Sequence, residues 1–73
     1  MESEKAKPNG KAVYGMTAAE WGRQLAAVRR ARGWTQESLA ERVGVSRQAV
    51  AKWERGAALP GPGNLLALRQ CLG

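Results

Sequence analysis

The sequence predicts an all-α fold, a compact domain of four short helices behind a disordered N-terminal arm. Three observations carry that expectation. From Trp21 to Leu72 the apolar residues recur at about one-turn spacing, the period of helices that each bury one face. Two junctions, Gly33-Trp34-Thr35 and Gly44-Val45-Ser46, repeat one pattern: a glycine able to take positive φ after a helix, an apolar residue to pack back on it, and a hydroxyl to cap the next helix. On a helical wheel at about 100° per residue, residues 47–55 split into two arcs. Arg47, Gln48, Ala51, Lys52 and Arg55 share one side, while Ala49, Val50, Trp53 and Glu54 share the other.

The elements follow in order. Residues 1–15, MESEKAKPNGKAVYG, mix charge with Pro8, Asn9, Gly10 and Gly15 and have no apolar period, the composition of a flexible basic arm. The domain proper covers residues 16–73. Thr17-Ala18-Ala19-Glu20 has the spacing of a capping box. It opens a first helix that runs to about Arg32, with Trp21, Leu25 and Val28 inside and Arg23, Gln24 and Arg30 outside. A second helix over about 36–43 buries Leu39, Ala40 and Val43. After a three-residue turn, a third helix over about 47–55 stops at Gly56. Helices joined so tightly cross steeply, and Ala40 and Ala49 are small enough to let them. Residues 57–63 contain two prolines and two glycines and read as a loop, so the fourth helix should start near Asn64 and lay Leu65, Leu68 and Leu72 along the core.

Seventy-three residues make one domain with a thin core. There is no His, one Cys and six carboxylates scattered along the chain, so the sequence offers no zinc ligand set and no Cys/His or Ser/His pair. It points away from an enzyme and calls for no metal and no cofactor. The lone Cys71 reads as a small apolar residue on a helix face. Twelve Lys and Arg against six Asp and Glu give +6, a balance that favours polyanionic partners. Nine cations against four Glu place +5 of it in residues 16–73, leaving +1 for the arm. No apolar run approaches the roughly 20 residues of a membrane span, and the charged N-terminus lacks a signal-peptide core. The expected setting is the cytoplasm, with no membrane association.

The outward arc of the third helix suits the edge of a base pair and its flanking phosphates, because Arg and Gln offer paired hydrogen-bonding groups and Lys a mobile charge. Gln48 would read adenine, Arg47 guanine or a phosphate, the Ala51 methyl would touch a thymine methyl, and Arg55 would take backbone phosphate. Ser46, at the cap of that helix, and Lys52 complete the DNA-facing set. Gln36 opens the second helix, where free amides and the positive dipole end favour a phosphate; its amide would alternatively brace Gln48 or Arg47, or simply face solvent. Lys5, Lys7 and Lys11 of the arm suit a DNA groove and equally a solvated tail. Glu54 stands alone as a carboxylate on the packed arc. It needs a cation to offset its desolvation unless it tips outward, and Arg29, at the edge of the first helix's inner face, is the partner the wheel offers.

Together, Arg29, Gly33-Trp34-Thr35-Gln36, Leu39-Ala40, Val43-Gly44-Val45-Ser46, Val50, Trp53-Glu54-Arg55-Gly56, Pro60 and the closing Leu72-Gly73 resemble the Cro and lambda-repressor type of helix-turn-helix proteins, also called XRE-like. The resemblance covers about residues 21–73. It implies a compact lambda-repressor-like all-helical domain that binds double-stranded DNA, most simply a repressor acting as a homodimer on a near-palindromic operator. It also implies reader roles at Arg47, Gln48 and Lys52, a phosphate role at Gln36, and an ion pair between Arg29 and Glu54. A different reading is an antitoxin-type module that neutralises a partner protein, a toxin or other regulator, and uses DNA binding to regulate itself. The chain departs from the resemblance in stopping at Gly73 without a fifth helix, in Pro62-Gly63 ahead of the fourth helix, and in Arg69, where a small apolar residue is usual.

Overall fold

Among the described residues four helices form because three hydroxyls and one proline start them and glycines stop them. A computed structural model describes residues 15–73, and the arm expected over residues 1–15 lies, apart from Gly15, outside the described residues. The helices are α1 (Ala18–Ala31), α2 (Gln36–Val43), α3 (Arg47–Glu54) and α4 (Pro62–Leu72). At α1 the Thr17 Oγ1 accepts from the Glu20 amide at 3.0 Å, and the Glu20 carboxylate accepts from the Thr17 amide at 2.9 Å, the full capping box. Thr35 and Ser46 cap α2 and α3 in the same manner, accepting from the amides of Ser38 and Ala49 at 3.0 and 3.1 Å. Between α2 and α3, Gly44 has φ 87°, a left-handed conformation that costs a side-chain-bearing residue about 1 kcal/mol. The amides of Gly44 and Val45 both return to the Ala40 carbonyl, which closes the turn.

α4 begins two residues earlier than the loop reading expects. Gly61 is its N-cap and Pro62 its first residue, and no side chain caps it. A proline there forfeits nothing, since the first amides of a helix have no intrahelical acceptor and the ring already holds a helical φ.

The core is built from Leu25 of α1, Leu39 and Ala40 of α2, Val50 and Trp53 of α3, and Leu68 of α4. Trp21, Trp34, Val43, Val45, Ala49 and Leu72 pack around it half-buried. Leu39 and Val50 are wholly enclosed at the crossing of α2 and α3, where Ala40 and Ala49 let the helices close. α1 is rolled relative to the expected stripe. Its buried residues are Gly22, Leu25, Ala26 and Arg29, while Val28, expected inside, is 37% exposed. Gly22 accounts for the roll. A Cβ built there would lie 2.4 Å from the carbonyl oxygens of both Trp53 and Glu54, so α1 rests on the backbone at the end of α3. At the far end of α1, Arg32 donates to the Leu72 carbonyl and ties α1 to α4. Trp34 lies beneath two guanidinium groups, with the Arg42 carbon 4.1 Å and the Arg32 carbon 5.7 Å from its ring centre.

Candidate nucleic-acid interface

α3 presents the stripe that its wheel draws. Arg47, Gln48, Lys52 and Arg55 are exposed and Ala51 half-buried among them; beneath, Val50 and Trp53 are buried and Ala49 half-buried. Ser46 is exposed beside the stripe, its oxygen already accepting from Ala49, which leaves the hydroxyl hydrogen to donate outward. The four exposed positions include three basic side chains and one amide, with no carboxylate among them.

The inner side of α3 holds a polar network. Arg29 Nε donates to Glu54 Oε2 at 2.6 Å and Arg29 Nη2 to Glu54 Oε1 at 3.1 Å, a bidentate pair whose side chains are only 9% and 7% exposed. Arg29 Nη1 also donates to the Trp34 carbonyl at 2.7 Å, so one guanidinium joins α1, the first junction and α3. Gln36 Nε2 donates to Glu54 Oε1 at 2.9 Å, and Gln36 Oε1 accepts from Arg47 Nη1 at 3.3 Å. Gln36 therefore braces Arg47 rather than Gln48. It links a buried carboxylate to an outward-facing guanidinium.

Burial by itself would push the Glu54 carboxyl up. The hydrogen bonds from Arg29 and then Gln36, with the charges of Arg29 and Arg30, outweigh it and hold the carboxyl below its ordinary value. The hydrogen bond to Glu54 likewise raises Arg29 against the desolvation it suffers. Both partners stay ionised, as a pair must if neither buried charge is to stand uncompensated.

A cleft opens between α1 and α3 beside this network, with Arg23 and Arg30 on one wall, Arg55 on the other, and Ala26 and Ala51 between them. Sequence reasoning assigned Arg23 and Arg30 only to the outer face of α1. Their spacing around Ala26, at i, i+3 and i+7, is the local signal that they share a face; that α3 lies beside that face is not local information.

A helix-turn-helix family profile matches residues 25–73, two thirds of the chain, and spans α2, the glycine turn and α3 with the end of α1 and all of α4. The chain belongs to the helix-turn-helix family. Within that family it is of the XRE type. This helix-turn-helix chain is also 42% identical over 45 residues to the uncharacterized HTH-type transcriptional regulator YazB of Bacillus subtilis (strain 168). The alignment takes in 62% of this chain and 65% of that relative, a little under two thirds of its length. Among the described residues no helix of this helix-turn-helix protein is long and apolar enough to cross a membrane.

Proposed function

We propose that this protein is a sequence-specific, double-stranded DNA-binding transcriptional regulator. In its simplest form it is a repressor that occupies a near-palindromic operator as a homodimer in the cytoplasm, with α3 in the major groove. One observation carries the reading: the exposed Arg47, Gln48, Lys52 and Arg55 stand on a helix whose opposite face is fixed in the core and whose first residue, Arg47, is held by Gln36. Such a stripe, rigidly mounted and with no carboxylate in it, suits base edges at Gln48 and Arg47 and phosphates at Lys52 and Arg55, with the Ser46 hydroxyl and the Ala51 methyl filling in at the groove. Family membership supports the same reading, and the regulator name of the B. subtilis relative supports a role in transcription.

Selection of bound sequences from random duplex DNA tests it. The expected result is an inverted repeat whose half-sites lie about one helical turn, roughly 34 Å, apart. Recovery of no enriched sequence would overturn sequence-specific binding, and a single asymmetric site would overturn the dimer.

A second reading, the partner-neutralising module, draws on the apolar furrow between α1 and α4, where Val28 is 37% and Leu66 55% exposed beside Trp21 and Leu65. Under that reading, complex formation with the partner protein survives Gln48→Ala and Lys52→Ala.

A further inference from the structure

The geometry points to a second DNA contact: the cleft between α1 and α3, walled by Arg23, Arg30 and Arg55, binds a backbone phosphate of the duplex that α3 reads. This inference rests on the proposed function and adds α1 to the binding surface. Three features of the cleft support it.

The first is excess charge. Arg23, Arg30 and Arg55 form no salt bridge among the described residues, although Arg30 acts on Glu54 through its charge. Glu54, the one acidic residue lining the cleft, is already engaged by Arg29 and Gln36. Three guanidinium groups against one carboxylate that Arg29 already pairs leave the concavity with surplus positive charge, which a further anion would offset. Their planar forks suit the oxygens of a phosphate diester, which take two donors at once.

The second is shape. Ala26 of α1 and Ala51 of α3 give the cleft short-side-chain positions between the arginines, and Gln36 and Glu54, bonded to each other, complete its lining. A phosphate group fits against methyls where a longer residue on either helix would fill the space.

The third is continuity. Ala51 and Arg55 belong both to the cleft and to the outward stripe of α3. DNA that lies along that stripe brings one of its strands across the mouth of the cleft, which is why the occupant is a phosphate of the same duplex and not a separate small anion.

The test is the salt dependence of binding to a random-sequence duplex, because a phosphate contact is sequence-independent and needs no known operator. The full chain is compared with Arg23→Gln/Arg30→Gln and, as a control, Arg69→Gln. Arg69 lies on α4 beside the apolar furrow, away from the cleft. All three arginines are exposed, and melting curves verify that each variant keeps the fold.

Loss of one phosphate contact lowers the slope of log affinity against log salt by about 0.9, so the fall in affinity between about 50 and 200 mM salt shrinks roughly 3.5-fold in the double variant and stays unchanged in Arg69→Gln. The same proportional weakening is expected on a selected operator, since the contact reads no base. An unchanged slope in the double variant, or an equal drop in Arg69→Gln, overturns the site and leaves DNA binding intact. No salt-dependent binding by the wild-type chain overturns both.

Discussion

Glu54 and Gln48 are both polar residues of α3, yet their removal should be felt in different measurements. Gln48 is exposed, and a surface substitution away from caps and pairs changes stability by no more than about 0.5 kcal/mol. Gln48→Ala and Lys52→Ala should melt with the wild type, while Gln48→Ala loses about 1–3 kcal/mol of discrimination at one base pair and Lys52→Ala weakens all sequences alike. Parallel losses of melting temperature would assign that face to folding instead. Glu54→Ala leaves Arg29 charged and enclosed, so it should cost about 3 kcal/mol, the lower end for breaking a buried pair. Because the cost comes from the stranded partner, the double change Arg29→Met/Glu54→Leu should be less damaging than either single substitution; thermal melts of the four proteins give the comparison. This pairing was open to inference from the sequence because a carboxylate on a packed arc demands a cation, and Arg29 is the one within reach of the same end of α3.

At the scale of the helices, what could be read in advance was whatever is decided within a few residues. Thr17 with Glu20, Thr35 and Ser46 cap amides three positions on, so chain spacing alone locates the starts of α1, α2 and α3. The cluster of two prolines and two glycines around Pro62 has the composition of a loop, although a proline is at home in the first turn of a helix. The roll of α1 is not legible in the sequence for a different reason. A wheel shows that Leu25 faces inward; it does not show that Gly22 meets the carbonyls of Trp53 and Glu54, since that depends on where α3 ends in space. Gly22→Ala brings the two effects into conflict. Alanine favours a helix interior by up to about 1 kcal/mol over glycine, yet its Cβ would have to displace backbone, not a flexible side chain, and overpacking of that kind costs about 1–3 kcal/mol. The clash should win, giving a lower melting temperature; a higher one would mean that α1 can lift without loss.

For the molecule as a whole, acid stability reports the ion pair. The Glu54 carboxyl is held below its ordinary 4.5 in the folded chain, so the folded state takes up protons less readily than the unfolded chain as the pH falls. The stability that the pair supplies is complete above that ordinary value and is lost as the pH drops through the folded one. With no histidine in the sequence, the melting temperature should be nearly flat between about pH 8 and 5 and fall below that range, and this acid fall should be shallower in Glu54→Gln. Equal acid limbs in the two proteins would show that Glu54 is not the group responsible. The chain of bonds from Arg29 through Glu54 and Gln36 to Arg47 has a practical corollary for anyone retargeting this protein to new operators. If the proposed reading holds, positions 48 and 52 should behave as interchangeable parts, open to side chains transplanted from a relative with different preferences. Position 47 is keyed to its chassis, and a transplant there should take only when position 36 is exchanged along with it.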